Sequence, residues 1–236
     1  SLKKISGEFA RATFEELGWD EKYGESDDDR ERRTTALSLM MYSEDKEVLN
    51  EAKTRFDNNK LEDLPTELRA LIISANVRHF ETPEMIENLF AAYKNTPSND
   101  LQNDIAIGLT STKNPETAEK ILANIKDSNI IRPQDASRWF VYLIRTRESR
   151  QIAWNWLKEN WAWVEGTFGE DKSYDDFIRY AATALLTPNE LDDFRQFFEP
   201  MENIPALTRT IKLGITEISA RVELIKRDKE AVISAL

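Results

Sequence analysis

Ile152-Ala153-Trp154-Asn155-Trp156-Leu157-Lys158-Glu159-Asn160-Trp161-Ala162-Trp163 carries four of the six tryptophans in this chain of 236 residues. Trp154 and Trp161 stand seven residues apart and share one helical stripe. Trp156 and Trp163 form a second stripe about 200° around the axis, at roughly 100° per residue. An indole buries a large area, so a helix with rings on two faces must be covered on both. Such a helix belongs between the layers of a helical stack.

The surrounding sequence supplies the layers. Glycines are few, and Thr82-Pro83, Asn114-Pro115 and Thr187-Pro188 each set a capping residue before a proline at the first helical position. Strand-type alternation is nowhere sustained. Apolar residues recur instead at helical spacing, as in Leu68, Leu71, Ile72 and Ala75, or Phe177, Tyr180, Ala181 and Ala184. Helix starts read near Asp27, Ser43, Pro65, Thr82, Ser98, Asn114, Pro133, Glu148, Ser173, Pro188 and Pro205. Taken in pairs, they give hairpins starting near residues 27, 65, 98, 133 and 173. A repeat of that length belongs to a helical solenoid, in which each hairpin buries its apolar face against its neighbours. The expected fold is all-α, a superhelix of HEAT-like antiparallel helix pairs forming one domain over residues 1–236. The last stretch, Pro205 to Leu236, is too long for one repeat helix and reads as a helix packing along several pairs, or as a broken pair.

Composition narrows the function. With 32 Lys+Arg against 43 Asp+Glu, the net charge of -11 disfavours nucleic acid and anionic membrane as partners, because a phosphate backbone needs a basic stripe. No apolar run approaches the roughly 18 residues of a spanning helix. Cysteine is absent, which removes disulfides and thiolate chemistry and fits a reducing cytoplasm. The chain starts without Met, inside a helical pattern, with Leu2, Ile5, Phe9 and Phe14 apolar; this reads as a piece of a longer polypeptide that has lost a neighbour.

His79 is the single histidine, so neither HExxH nor a three-histidine zinc site can be built from this chain. Its place at the end of Val77-Arg78-His79-Phe80 suits a helix C-terminus, where a cation complements the dipole. No serine lies in a GxSxG context. The acidic runs Glu25-Ser26-Asp27-Asp28-Asp29 and Glu190-Leu191-Asp192-Asp193 lack the alternation and glycine of a calcium loop and read as helix starts. Gly166-Thr167-Phe168-Gly169 lacks the lysine and the strand of a phosphate loop. Phe194, Phe197 and Phe198, with Trp139-Phe140 and Tyr142, read as core first and as a ligand groove second. Arg30, Arg33, Arg69, Arg78, Arg138, Arg145 and Arg179 recur along the helices. They are either scattered surface arginines or a positive lining suited to peptide carboxylates.

Leu17-Gly18-Trp19-Asp20, Gly24-Glu25-Ser26, Arg33 with the helix Ala36 to Tyr42, and Glu47-Val48-Leu49-Asn50-Glu51-Ala52 follow in order. Downstream come Leu64-Pro65-Thr66-Glu67-Leu68-Arg69, Arg150-Gln151-Ile152-Ala153-Trp154 with Asn160-Trp161, and Phe194-Phe197-Phe198. This ordered set resembles the C-terminal helical domain of aminopeptidase N-type zinc aminopeptidases over nearly the whole chain. The resemblance implies a non-catalytic superhelix that caps a catalytic domain, encloses the substrate cavity and limits access. It implies zinc, held by HExxH and a distant Glu, only in the parent enzyme, with no cofactor, metal ligand or catalytic residue in this chain. The implied partners are the chain's own catalytic domain and a peptide substrate. Arg145 corresponds to a family arginine that precedes an Asn, and is the one residue to which the resemblance gives a substrate contact. Here Thr146 replaces that Asn, and Glu148-Ser149 replaces a nearby Gly. Two other readings compete: a freestanding HEAT- or TPR-like scaffold for protein binding, and a sensor with an apolar pocket among the aromatics.

Overall fold

The computed structural model describes residues 1–170 and 173–235 and contains no strand among them. Thirteen α-helices form among these residues: α1 Leu2–Leu17, α2 Asp27–Tyr42, α3 Lys46–Asn58, α4 Thr66–Phe80, α5 Pro83–Asn95, α6 Asn99–Leu109, α7 Pro115–Ile125, α8 Pro133–Arg145, α9 Arg150–Glu159, α10 Trp161–Phe168, α11 Asp175–Ala184, α12 Pro188–Phe198 and α13 Pro205–Ala235. The capping signals act as their chemistry requires. Ser26, Asp45, Thr82 and Ser98 each accept a hydrogen bond from an amide of the following first turn. Thr187 and Glu190 form a reciprocal capping box.

Four starts differ from the sequence reading. The chain turns through a left-handed Glu44, φ 61°, before Asp45 caps α3, so that helix begins at Lys46 and not at Ser43. Pro65 stays extended as the N-cap of α4, which starts at Thr66. Ser149 spends its hydroxyl on the Leu143 carbonyl, 2.7 Å away, which moves the start of α9 from Glu148 to Arg150. The helix expected near Ser173 begins at Asp175, beyond two residues outside the described set.

The helices fall into two compact units, Ser1–Ser111 and Thr112–Ala235. In the first, α1 packs on α2, α3 on α4 and α5 on α6, while α4 also lies against α6. In the second, α7 packs on α8 and α9, α8 on α9 and α11, and α13 on α11 and α12. Within each unit this is the stacking of helix pairs that the periodicity implies. The phase differs by one helix in the first unit: the hairpins read from starts at 27 and 65 omit α1, which is the natural partner of α2.

Where helices approach closely, the contact residue is glycine. A Cβ at Gly108 would fall 2.1 Å from Ile73 Cγ2, so α6 can lie against α4 only without one. Gly214 on α13 is similar, 2.8 Å from Phe194 Cζ. The long final helix is unbroken from Pro205 to Ala235, which excludes the broken-pair reading over that range. Leu207, Ile211 and Ile218 are buried, but Leu224, Ile225, Val232 and Ile233 are exposed, so its packing ends after about four turns.

Candidate functional site

Trp154 and Trp161 do not share one helix. Asn160 sits at φ -110°, ψ 16°, between α9 and α10, and both its backbone N–H, at 2.9 Å, and its side-chain amide, at 2.8 Å, donate to the Trp156 carbonyl. The two stripes nevertheless survive the break. Trp154 and Trp161 are buried against α12, with Trp154 stacked 6.0 Å from Phe194 and Trp161 edge-on to Phe198 at 5.2 Å. Trp156 and Trp163 meet each other at 5.9 Å, and Trp156 lies 6.1 Å from Phe140 of α8. Phe140 and Phe168 both touch Phe177 of α11. The phenylalanines Phe194 and Phe198 are fully buried and belong to the core, as do Trp139, Phe140 and Trp154.

One polar group sits at the edge of that core. Trp154 Nε1 and Lys158 Nζ both donate to Asp193 Oδ2 at 2.6 Å, tying α9 to α12. Burial works to raise the Asp193 carboxyl, but the hydrogen bonds from Lys158 and Trp154 outweigh it and hold the group below the usual carboxylate range. Asp193 is therefore more than a charged helix start.

The arginines divide by environment. Arg33 and Arg69 are buried, Arg33 paired with Glu25 and Arg69 with Asp104 at 2.6 Å. Arg30 pairs with Glu21 and Asp27, both at 2.7 Å. These three are structural cross-links and form no positive lining. Arg78 donates to the Ser111 carbonyl at 3.3 Å, which spends it on the end of α6. In the second unit a different pattern appears. Arg145, the last residue of α8, is exposed with its guanidinium 5.9 Å from the Tyr180 ring of α11. Arg179 lies 5.6 Å from the same ring and pairs with Asp176. Arg138 and Tyr142 precede Arg145 on α8 by seven and three residues and so share its side of the helix. Arg138 is exposed too, while Tyr142 and Tyr180 are half-buried.

An exposed guanidinium held over a ring keeps its forked donors free to take a carboxylate while the ring fixes its position. Arg145 and Arg179 thus flank one ring, Tyr180, in an arrangement whose chemistry can take an anionic end. From sequence, only Arg145 stands out as a contact; Tyr180 falls in the apolar period of α11. His79 lies in the last turn of α4, as its dipole reading implies. Among the described residues, no group of three or more His, Cys, Asp or Glu is placed to hold a metal ion. No described helix is long and apolar enough to cross a membrane.

Aminopeptidase N of Lactobacillus helveticus is 32% identical over 238 residues, covering 100% of this chain. Aminopeptidase N of Lactococcus lactis subsp. lactis is 34% identical over 94% of the chain, and aminopeptidase M1 of Arabidopsis thaliana 28% identical over 90%. The chain spans only 28%, 26% and 25% of the lengths of these relatives. Residues 1–220 match the family described as the ERAP1-like C-terminal domain, a span that covers the first unit, most of the second and every landmark from Leu17-Gly18-Trp19 to Phe198. The chain belongs to that family, the helical C-terminal domain of aminopeptidase N-type enzymes.

Proposed function

We propose that residues 1–236 act as one non-catalytic domain of a zinc aminopeptidase, capping its catalytic part, enclosing the substrate cavity and holding the far end of a peptide whose N-terminal residue is removed. The observation that carries this reading is the match along the whole chain to about a quarter of enzymes named aminopeptidase N. With one histidine and no cysteine, this chain does not fit a zinc centre of the HExxH type, and the metal, with the water it would activate, belongs to the remaining polypeptide. What this chain contributes is access control and binding. Arg145, steadied by Tyr180 and flanked by Arg179, is assigned to the distal carboxylate of the peptide. A cytoplasmic site of action fits the absence of cysteine.

A chimera tests the reading: the Lactobacillus helveticus enzyme with this chain in place of its matching segment. The expected result is aminopeptidase turnover of an aminoacyl reporter and of longer peptides. Arg145→Ala should raise KM for the longer peptides about tenfold, the scale of one lost charge-assisted hydrogen bond, and leave the reporter unchanged. A folded chimera without turnover would overturn the proposal. So would amino-acid release by the isolated chain that persists after contaminant controls.

A further inference from the structure

Arg69 ties α4 to Asp104 of α6, yet the tie uses little of its side chain. A guanidinium carries several N–H donors, and Asp104 takes one, from Nε at 2.6 Å. The two Nη groups have no other hydrogen-bond partner among the described residues, and neither is sealed from solvent. Arg69 itself is only 5% exposed. A buried cation with unspent donors is costly unless something completes it.

Arg69 borders a cleft of about 570 Å³ built within residues 61–101 of the first unit, a size that small-molecule sites commonly have. Leu61, Ala92, Pro97 and Leu101 give it an apolar wall. Glu62, exposed on the 3-10 turn Leu61–Asp63, adds a carboxylate that forms no ion pair among the described residues. Ser98, the N-cap of α6, lines the same cleft and brings the positive end of that helix to it. The charges select the occupant. Arg69 and Asp104 cancel, so a bare anion reaches the Nη groups only by approaching two carboxylates, Asp104 and Glu62. A bare cation suits Glu62 and leaves the Nη groups unspent. A zwitterion meets both conditions: its carboxylate takes the forked donors of Arg69, its ammonium faces Glu62, and an apolar side chain covers the aliphatic wall. We propose that this cleft binds an apolar zwitterion, either a free aliphatic amino acid or a dipeptide of such residues. The inference stands without the aminopeptidase reading, because its test uses this chain alone and Arg145 belongs to the second unit.

Amide NMR titration of residues 1–236 with L-leucine and with leucyl-leucine tests the site. Saturable shifts centred on residues 61–69 and 92–104 are expected with at least one of the two, at a Kd of about 1 mM or below, and the tighter ligand identifies the source. No saturable shift with either up to about 10 mM, or shifts centred elsewhere, would overturn the proposal. Isocaproate, which lacks the ammonium, and isoamylamine, which lacks the carboxylate, should each bind at least about tenfold more weakly than the zwitterion. Equal binding by either refutes it. Glu62→Gln should weaken binding about fivefold, the scale of one exposed charge pair, and an unchanged Kd counts against the assignment. Arg69→Lys keeps a charge for Asp104 but loses the fork, and should weaken binding at least about tenfold. Should that variant unfold, Ala92→Phe fills the cleft from a half-buried position and should abolish binding. A folded Ala92→Phe chain that binds the ligand unchanged removes the site.

Discussion

The two units solve the same packing problem with different chemistry. Residues 1–111 stack aliphatic and methionine side chains, Leu37, Met40, Leu68, Ile72 and Ile73 among the fully buried, and fix helices to each other and to their connecting loops with ion pairs: Arg33 with Glu25, Arg69 with Asp104, Arg55 with Asp20 and Arg11 with Asp45. Residues 112–235 bury rings, Trp139, Trp154, Phe140, Phe177, Phe194 and Phe198, and place Asp193 among them as a hydrogen-bonded acceptor. Apolar burial is non-directional, so the second unit gains area while the orientation of its rings sets the register. A buried ion pair gains little net stability, but it penalises any arrangement that separates the partners. The difference teaches that the same helix-pair plan can be made specific by ring geometry or by charge.

The sharpest way to break the comparison is Trp154→Ala. It removes the stack on Phe194 and the donor to Asp193, and should destabilise the second unit by about 3–5 kcal/mol. Urea denaturation combined with amide exchange should show protection lost in residues 112–235 first. Next, Asp104→Asn leaves the Arg69 charge buried without its carboxylate and should cost about 3 kcal/mol, with exchange rising in α4 and α6. An equal loss for Asp104→Asn in both units would refute the division. Gly214→Ala inserts a methyl against Phe194 and should cost about 1–3 kcal/mol, read as a lowered Tm.

Acid should separate the units more gently. Hydrogen bonding from Arg55 lowers Asp20; in Asp45, burial acts upward and is outweighed by the Val48 amide and Arg11. A carboxyl whose pKa is depressed in the fold stabilises above its unfolded value, about 3.9, and loses that contribution as pH falls through its folded one. Both pairs are partly solvated, so the loss per pair should stay under about 1 kcal/mol. Exchange followed as pH falls below the unfolded carboxylate value should rise in α3 and the loop before α2 ahead of α11, while the Asp193 link weakens as a single site. The smallest effect belongs to Arg145→Ala, an exposed position where stability should move by no more than about 0.5 kcal/mol. Its consequence should appear only in KM for long peptides, and a large fall in Tm would assign Arg145 to packing.

The helices were legible because period and caps are local. Thr82-Pro83, Asn114-Pro115 and Thr187-Pro188 begin helices where their chemistry says. The break at Asn160 was not legible, since an unbroken run of aromatic and polar residues without Pro or Gly carries no warning that one residue will leave helical φ and ψ. The pairing phase was lost for a similar reason: which neighbour a helix prefers depends on contacts between segments. In the candidate site, Arg145 could be named from the order of landmarks, but Tyr180 beneath it could not, because α8 and α11 are brought together only by the fold.

Sequence alone determined that this chain is a stack of helix pairs, that one stretch must be covered on two faces, and that a single histidine leaves it no paired-histidine zinc site. These follow from side-chain period and inventory, which each segment carries by itself. Tertiary structure decided that Arg33 and Arg69 are internal ties while Arg145 is exposed, and that α1 keeps an apolar face uncovered. Burial belongs to a residue's neighbours across the chain, and those neighbours exist only once the helices have packed.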